Sequence, residues 1–288
     1  MTTVALSVVM PCLNGLPELR EQLDSLVRER PPFDWELLLA DNGSTDGSAR
    51  VALEYGDRLP VRVIDASATR GVSAARNVGA RCALGRNLWF LDADDVIEPG
   101  SLAAMNEGLD EYGFAAARLD VYTLNPSWAV SARYPDHYDG GIVPGRYPSA
   151  AGAVIGIRKE LFDAVDGFDE DFILGADDID FCWRVQEATS TPLVLCDGAV
   201  VRYRLRPSAR SFFRQGRSYG RGEVQLFVKW GTGPLGRSRP GLALRRFLLA
   251  CSLVPRWWAR DEVARGCFLL GLTLGRAQGS VQARALFL

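Results

Sequence analysis

Four short, unbroken apolar runs alternate with helical patterns through the first third of the chain: VALSVVM at 4–10, ELLLA at 36–40, VRVI at 61–64 and LWFL at 88–91. Runs of this length without polar alternation are the mark of strands covered on both faces, the habit of parallel sheets. The segments between them, 16–28, 48–55 and 72–84, carry helical spacing, so each strand is expected to return through a right-handed helical crossover. The pattern predicts an α/β fold with a Rossmann-like, mostly parallel sheet and helices on both faces.

A polar turn begins where each of the last three runs ends. Asp41 follows ELLLA, Asp65 follows VRVI and Asp92 follows LWFL. Open α/β sheets place their ligands outside the carboxyl ends of the strands. Three carboxylates there, with the glycine-bearing turns DNGSTDGS (41–48) and TRG (69–71), predict a nucleotide-sized crevice. From about Glu111 the pattern changes. FAAARLDVYTL (114–124) and WAVSARY (128–134) read as β segments, followed by a turn-rich stretch, AVIGI (153–157), the loop GFDEDFILG (167–175) and a helix starting near Asp177. These predict a small antiparallel extension that frames one side of the cleft.

The net charge of −2 conceals a sharp division. Residues 1–201 hold 16 Lys and Arg against 32 Asp and Glu, a net −16, and residues 202–288 hold 17 against 3, a net +14. An acidic body gathers cations, and a basic tail seeks anions. The six cysteines are scattered with no CxxC pair, so reduced thiols in a cytoplasmic protein are expected. The first apolar run has no Lys or Arg before it and is ended by Pro11, which fits neither a signal peptide nor a membrane span.

The strongest chemical pattern is Asp92-Ala93-Asp94-Asp95 at a strand end. Alternate carboxylates converge on one hard divalent cation such as Mg²⁺ or Mn²⁺, which prefers oxygen ligands and keeps water or substrate phosphate in its shell. Without a cation or donors they raise one another's pKa. Taken alone, the pattern fits better an acidic turn capping the helix that begins near Pro99.

Context reverses that preference. PCLNG, DNGSTDGS, GVSAARNVGA, LDADD and GFDEDFILGADDIDFCWR occur in this order, and together they resemble the family 2 inverting glycosyltransferases of GT-A fold from about Leu6 to Arg204. The resemblance implies that Pro11, Asn14 and Asp41 hold the nucleobase and ribose, for which ordinary turn chemistry is the alternative at Asn14 and Asp41. It implies that Arg76 and Asn77 match an Arg-Asn pair serving the nucleotide sugar. By the same resemblance Asp94 ligates the metal, Asp92 helps hold the ribose or the metal's waters, and Asp95 orders the turn.

Asp177 and Asp178 open the last helix of this region. A helix start favours a charged carboxylate, while shelter in a cleft pushes its pKa up; between the two, such a group serves as a base near neutral pH. The family has Glu-Asp here with the second residue as base, which implies Asp178, with Asp177 a shortened supporting residue. Arg184 matches a family arginine one turn later, either supporting the acidic pair or contacting the acceptor. The implied reaction is transfer of a hexosyl or deoxyhexosyl group from a nucleotide-diphosphate sugar to an acceptor hydroxyl of a glycan, a lipid-linked intermediate or a small molecule, in cell-envelope polysaccharide, glycolipid or secondary-metabolite glycosylation. Two alternatives stand beside it. A sugar-phosphate nucleotidyltransferase would use a similar sheet, but its glycine-rich basic first loop is absent from VVMPCLNGLPEL. A catalytically silent nucleotide-binding membrane or assembly module is the other.

The expected division places the catalytic domain at 1–205, with the nucleotide-sugar half at about 1–110 and the acceptor half at about 111–205. A basic amphipathic helical region follows at 206–288. There SFFRQGRSYGRGEVQLFVKW (211–230) reads as a helix or helical pair, and the later apolar stretches are too short for the roughly 20 residues that cross a bilayer. Interleaved Arg, Leu and Phe with Trp257-Trp258 suit a helix lying on an anionic membrane surface, peripheral on the inner face of the plasma membrane. Packing on the catalytic domain, a homodimer and non-specific attraction to nucleic acid are the competing uses; no specific nucleic-acid recognition is expected. His137, the single histidine, reads as a loop residue near the acceptor side, which excludes a histidine-rich zinc site.

Overall fold

The computed structural model of the chain describes residues 4–136, 138, 140–173, 175–233, 240–253, 256 and 258–287. His137 and Trp257 lie outside the described residues. The first half builds β1 (Leu6–Cys12), α1 (Leu19–Val27), β2 (Trp35–Asp41), α2 (Ser48–Glu54), β3 (Val61–Asp65), α3 (Val72–Cys82), β4 (Asn87–Phe90), the two-residue β5 (Val96–Ile97) and α4 (Ser101–Tyr112). The second half adds β6 (Phe114–Asp120), α5 (Ser127–Arg133), β7 (Ile155–Arg158), α6 (Lys159–Ala164), α7 (Asp177–Thr189) and β8 (Val194–Arg202). Three helices close the chain: α8 (Ala209–Trp230), α9 (Pro240–Leu253) and α10 (Arg260–Ala283).

One eight-stranded sheet runs in the order β3-β2-β1-β4-β7-β6-β8-β5. The first four positions are parallel, as the apolar runs predict, and β1, at the centre of them, is buried along its whole length. The extension is less antiparallel than expected. Only β7 and the short β5 run against their neighbours, while β6 and β8 pair in parallel and so continue the direction of β1. WAVSARY is helix rather than strand. Pro126 presets an extended entry to α5, and Ala129, Val130 and Ala132 turn inward at helical spacing, so the alternation of small and larger residues there does not reflect a pleat.

The 211–230 segment is a single helix, opened by a capping box in which the Ser208 and Ser211 side chains each accept from the other residue's backbone N–H. Glycines set how α8 meets α10. A Cβ at Gly216 or Gly220 would overlap the carbonyl oxygens of Phe268 and Leu272, and one at Gly271 or Gly275 would overlap those of Phe213 and Arg217. Glycine costs about 1 kcal/mol relative to alanine inside a helix. Here that cost is offset by backbone-to-backbone contact closer than any side chain allows. The pair is also fastened to the catalytic body. Asp180 of α7 is fully buried and accepts from Trp230 Nε1 (2.8 Å) and Lys229 Nζ (3.0 Å), and the Trp183 and Trp230 rings meet edge to face at 5.6 Å. Packing on the body, one of the uses open for the basic region, is therefore what α8 does. All six cysteines are free, as expected.

Candidate functional site

A cavity of about 650 Å³ opens beyond the carboxyl ends of β1 and β4, within the size range of small-molecule sites. Pro11 comes to it from the end of β1, Asn14 from the loop that follows, Asp92 and Asp94 from the turn after β4, Trp128 from α5 and Arg206 from the strand exit after β8. The expected boundary at 205/206 thus runs through a cavity wall, since Leu205 and Arg206 both belong to it.

The acidic turn does not cap α4. That helix receives its cap from Glu29, whose two carboxylate oxygens accept from the backbone N–H groups of Gly100 (2.8 Å) and Leu102 (3.0 Å). Asp92, Asp94 and Asp95 instead bring one carboxylate oxygen each within 4.8 Å of the others. Burial, then the neighbouring Asp92 charge, raises the pKa of Asp94 and lifts that of Asp95 well above the usual carboxylate range. Asp95 Oδ1 accepts from the Arg204 backbone N–H at 2.9 Å, and its Oδ2 is buried with no partner among the described residues. Asp95 thus ties the acidic turn to the exit of β8. Arg204 Nε donates to the Asp94 carbonyl at 2.9 Å, and the Arg206 guanidinium stands 3.7 Å from the Asp94 carboxylate. Three crowded carboxylates, one oxygen of them unanswered, match the all-oxygen donor set that hard divalent cations take.

The second acidic pair starts α7. Gly175 and Ala176 both adopt positive φ, 116° and 64°, which turns the chain sharply and presents Asp177 and Asp178 in the first helical turn. Asp178 is half-buried, and each of its oxygens accepts one backbone N–H, Oδ1 from Ile179 at 2.9 Å and Oδ2 from Gly152 at 3.1 Å. Burial first, and the Asp177 charge second, push its pKa up to about 7 against the pull of Arg76 and the two donors.

Arg76 joins the two acidic groups. Its side chain is 4% exposed; Nη1 donates to Asp177 Oδ2 at 2.9 Å and Nη2 to Asp92 Oδ1 at 3.0 Å. Position 152 must be glycine for this, because a Cβ there would stand 2.6 Å from both terminal nitrogens of Arg76. One guanidinium fork therefore spans from the turn after β4 to the start of α7.

The remaining expected residues divide. Asn14 adopts φ 55° and accepts from the Thr45 N–H at 2.8 Å, so it ties the loop after β1 to the loop after β2 while lining the cavity. Asp41 accepts from the Ser44 N–H at 3.1 Å, the turn chemistry that was its alternative, and does not line the cavity. Asp65 is exposed on the edge strand β3, so Asp92 is the only one of the three strand-end carboxylates in the cavity wall. Asn77 is placed differently from the expectation. Its amide donates to the Phe168 carbonyl (2.8 Å) and Glu170 (2.9 Å) and accepts from the Phe168 N–H (2.8 Å), which consumes it in holding the 167–170 loop behind the cavity. Arg184 likewise supports: it binds Asp180, not the Asp177-Asp178 pair, at 2.8 Å and donates to the Val165 and Gly167 carbonyls. Sequence reasoning missed Arg206, Trp128, Gly152 and Asp180. Of these only Asp180 carried a local signal, its i,i+4 pairing with Arg184.

A model of the family described as glycosyl transferase family 2 matches residues 7–165. The minor teichoic acid biosynthesis protein GgaB of Bacillus subtilis is 33% identical over 133 residues, which are 46% of this chain and 14% of that protein. The succinoglycan biosynthesis protein ExoA of Rhizobium meliloti is 25% identical over 269 residues, 88% of this chain and 77% of that one. The chain spans about a third or less of the length of several curated relatives it matches. Among solved structures, the mannosyltransferase PcManGT from Pyrobaculum calidifontis, in complex with GDP-Man and Mn²⁺, superposes with a TM-score of 0.63 at 17% identity, over 96% of this chain and 90% of that chain. The likeness establishes a GT-A fold.

Proposed function

Because the chain belongs to glycosyl transferase family 2, we propose that it is an inverting glycosyltransferase moving a sugar from a nucleotide-diphosphate sugar to an acceptor hydroxyl. The observation that carries this reading is Arg76, which is bonded both to Asp92 of the cavity wall and to Asp177 next to Asp178, so that the two acidic groups belong to one connected network. Asp178 is the base. Its carboxylate, poised near neutral pH, takes the proton of the acceptor hydroxyl while that oxygen attacks the anomeric carbon from the side opposite the diphosphate. The carbon–oxygen bond to phosphate breaks, its electron pair leaves with the nucleoside diphosphate, and no protein nucleophile is needed. Asp177 and Arg76 hold the base in place through their ion pair. Pro11 and Asn14 frame the nucleoside end, Asp41 supports them from behind through Ser44, and Arg206 offers positive charge to the departing phosphates. Asp94, with Asp92 and the buried Asp95 behind it, would hold a divalent cation, Mn²⁺ or Mg²⁺. When bound, such an ion supplies Lewis-acid stabilisation to a diphosphate leaving group.

The relatives' roles in teichoic acid and succinoglycan biosynthesis support a polysaccharide or lipid-linked acceptor, and GDP-Man with Mn²⁺ in PcManGT supports the donor class and the metal. A peripheral membrane position fits the tail. No helix among the described residues is long and apolar enough to cross a bilayer. On α9, however, Leu244, Phe247, Leu248 and Cys251 are all exposed at i, i+3, i+4 and i+7, and residues 224–260 hold seven basic residues and no acidic one. An apolar stripe set in positive charge complements an anionic lipid surface.

Turnover of nucleotide sugars with Mn²⁺ tests the reading. Asp178→Asn lowers turnover by about 10²- to 10⁴-fold, the usual worth of a general base, and Asp94→Asn removes its metal dependence together with most of its rate. Near-normal turnover in Asp178→Asn removes the base assignment, and wild-type turnover unaffected by EDTA removes the metal.

A further inference from the structure

The tail helices complete an arginine–aromatic cluster that the steps above leave unused. Arg133 closes α5, and its guanidinium carbon lies 4.7 Å from the ring centre of Phe268, 5.0 Å from that of Tyr134 and 5.9 Å from that of Tyr219. Phe268 comes from α10 and Tyr219 from α8, while Tyr138 and Tyr203 complete the electrostatic surroundings. Among the described residues no carboxylate pairs with Arg133 and no carbonyl accepts from it, whereas the likewise half-buried Arg184 and Arg204 are bonded to oxygens. Aromatic faces attract the cation but do not satisfy its five in-plane N–H donors. A side chain in that condition is matched by a bidentate anion, and the guanidinium fork fits phosphate.

The cluster adjoins the proposed base. Tyr219 lies against Gly175, two residues before Asp177, and feels the charges of Arg133, Asp178 and Arg206 together. Its hydroxyl accepts from Gln215 Nε2 at 3.3 Å, which leaves its own proton to donate. We infer that Arg133, with the Tyr219 hydroxyl, binds a phosphate group carried by the acceptor and so sets the acceptor's hydroxyl beside Asp178. The inference rests on the glycosyltransferase reading and narrows its acceptor to a phosphate-bearing class, either a soluble sugar phosphate or a phosphate-linked lipid. It also gives the basic tail a part in the site, since two of the three rings around Arg133 belong to it.

The test uses the full chain in two stages. A nucleoside diphosphate with Mn²⁺ is first shown by thermal shift to bind; failure of this stage counts against the glycosyltransferase reading itself. With that donor site saturated, inorganic phosphate is titrated by calorimetry into wild type, Arg133→Gln and Arg133→Lys, with the melting temperature of each recorded. The expected result is phosphate binding by wild type that weakens about tenfold or more in Arg133→Gln and by less in Arg133→Lys, which keeps the charge without the fork. If Arg133 only fastens α5 to the tail, Arg133→Gln melts earlier yet binds phosphate like wild type, and the proposal is overturned. It is overturned equally if wild type binds no phosphate with the donor site filled. Competition by glucose 6-phosphate or by a short isoprenyl phosphate then identifies the acceptor's carrier, and displacement by neither overturns the assignment.

Discussion

Replacing Arg76 by methionine is the sharpest perturbation of the site, because one side chain neutralises carboxylates on two separate elements. Methionine keeps much of the stem's volume and removes the charge. Asp177, with its side chain 9% exposed, and Asp92, 31% exposed, then lose their common partner. Removing one member of a buried ion pair costs about 3–5 kcal/mol, since the other charge stays desolvated. Most of this comes from the Asp177 limb, because solvent already screens Asp92. The loss depends on pH in a defined direction. Arg76 lowers the pKa values of Asp177 and Asp178, which burial holds above the ordinary range, so its removal raises both further. A carboxyl group whose folded pKa is raised favours the fold while it is protonated and costs stability once pH rises through that pKa. The deficit of Arg76→Met is therefore larger at pH 8 than at pH 5.5. At 1.36 kcal/mol for each unit of pKa shift, the recovery is about 1–2 kcal/mol. Urea unfolding at the two pH values, with the m-value checked for constancy, measures it. Arg76→Lys, a point charge unable to fork, falls between. A deficit under about 1 kcal/mol at pH 8, or one that grows on acidification, would refute the idea that this arginine compensates both acidic groups.

Turnover of wild type rises with pH and levels off above about 7, where Asp178 is ionised, and a pH–rate profile flat from 5.5 to 8.5 contradicts its role as base. Gly220→Val, which forces side-chain atoms into the Leu272 carbonyl, destabilises the chain by about 3 kcal/mol or more in denaturant melts, at the upper end of overpacking costs; wild-type stability would mean that α8 and α10 do not approach as described. The full chain floats with anionic liposomes, and Leu244→Asp combined with Phe247→Asp abolishes this without lowering the melting temperature, since both side chains are exposed; a wild-type protein that stays at the bottom of the gradient removes the membrane reading.

What could be read from the sequence followed the range of the forces involved. The strands β1, β2 and β4 are legible because a strand buried on both faces must be continuously apolar, whereas β3, on the sheet edge, keeps only part of that signal. The acidic turn is legible because its carboxylates lie side by side in the chain. β8 was passed over for a local reason: Asp197-Gly198 sits inside it and reads as a turn, and the register against β6 does slip there, with Ala117 facing Cys196 and Arg118 facing Val200. Missing β8 concealed Arg204 and Arg206, which reach the acidic turn only because that strand delivers them. Asn77 stands beside Arg76 in sequence, yet one turns to the cavity wall and the other to Phe168, 91 residues away, a direction no local pattern encodes. Gly152 is invisible for the same reason, since its requirement comes from the guanidinium of residue 76.

The division of charge along the chain acquires a physical meaning once these contacts are known. After residue 201 the chain carries a net +14, and part of that charge is spent within the fold. Arg202 pairs with Glu98, Arg204 with Glu21, Arg206 faces Asp94, and Lys229 reaches both Asp169 and Asp180. Four basic side chains thus answer the acidic body, and two of them, Arg204 and Arg206, do so at the cavity itself. The body's excess of carboxylates therefore does not have to be met by a cation alone: the turn at 92–95 is held from one side by Arg76 and from the other by residues 204–206, with Asp92 and Asp94 still at the opening. On α9 the exposed Arg245 takes no part in those pairs, and Arg256, beyond the helix, pairs with Glu262. Charge near the cleft organises the site, while Arg245 on α9 points to solvent, so the use of basic charge divides at the exit from α8.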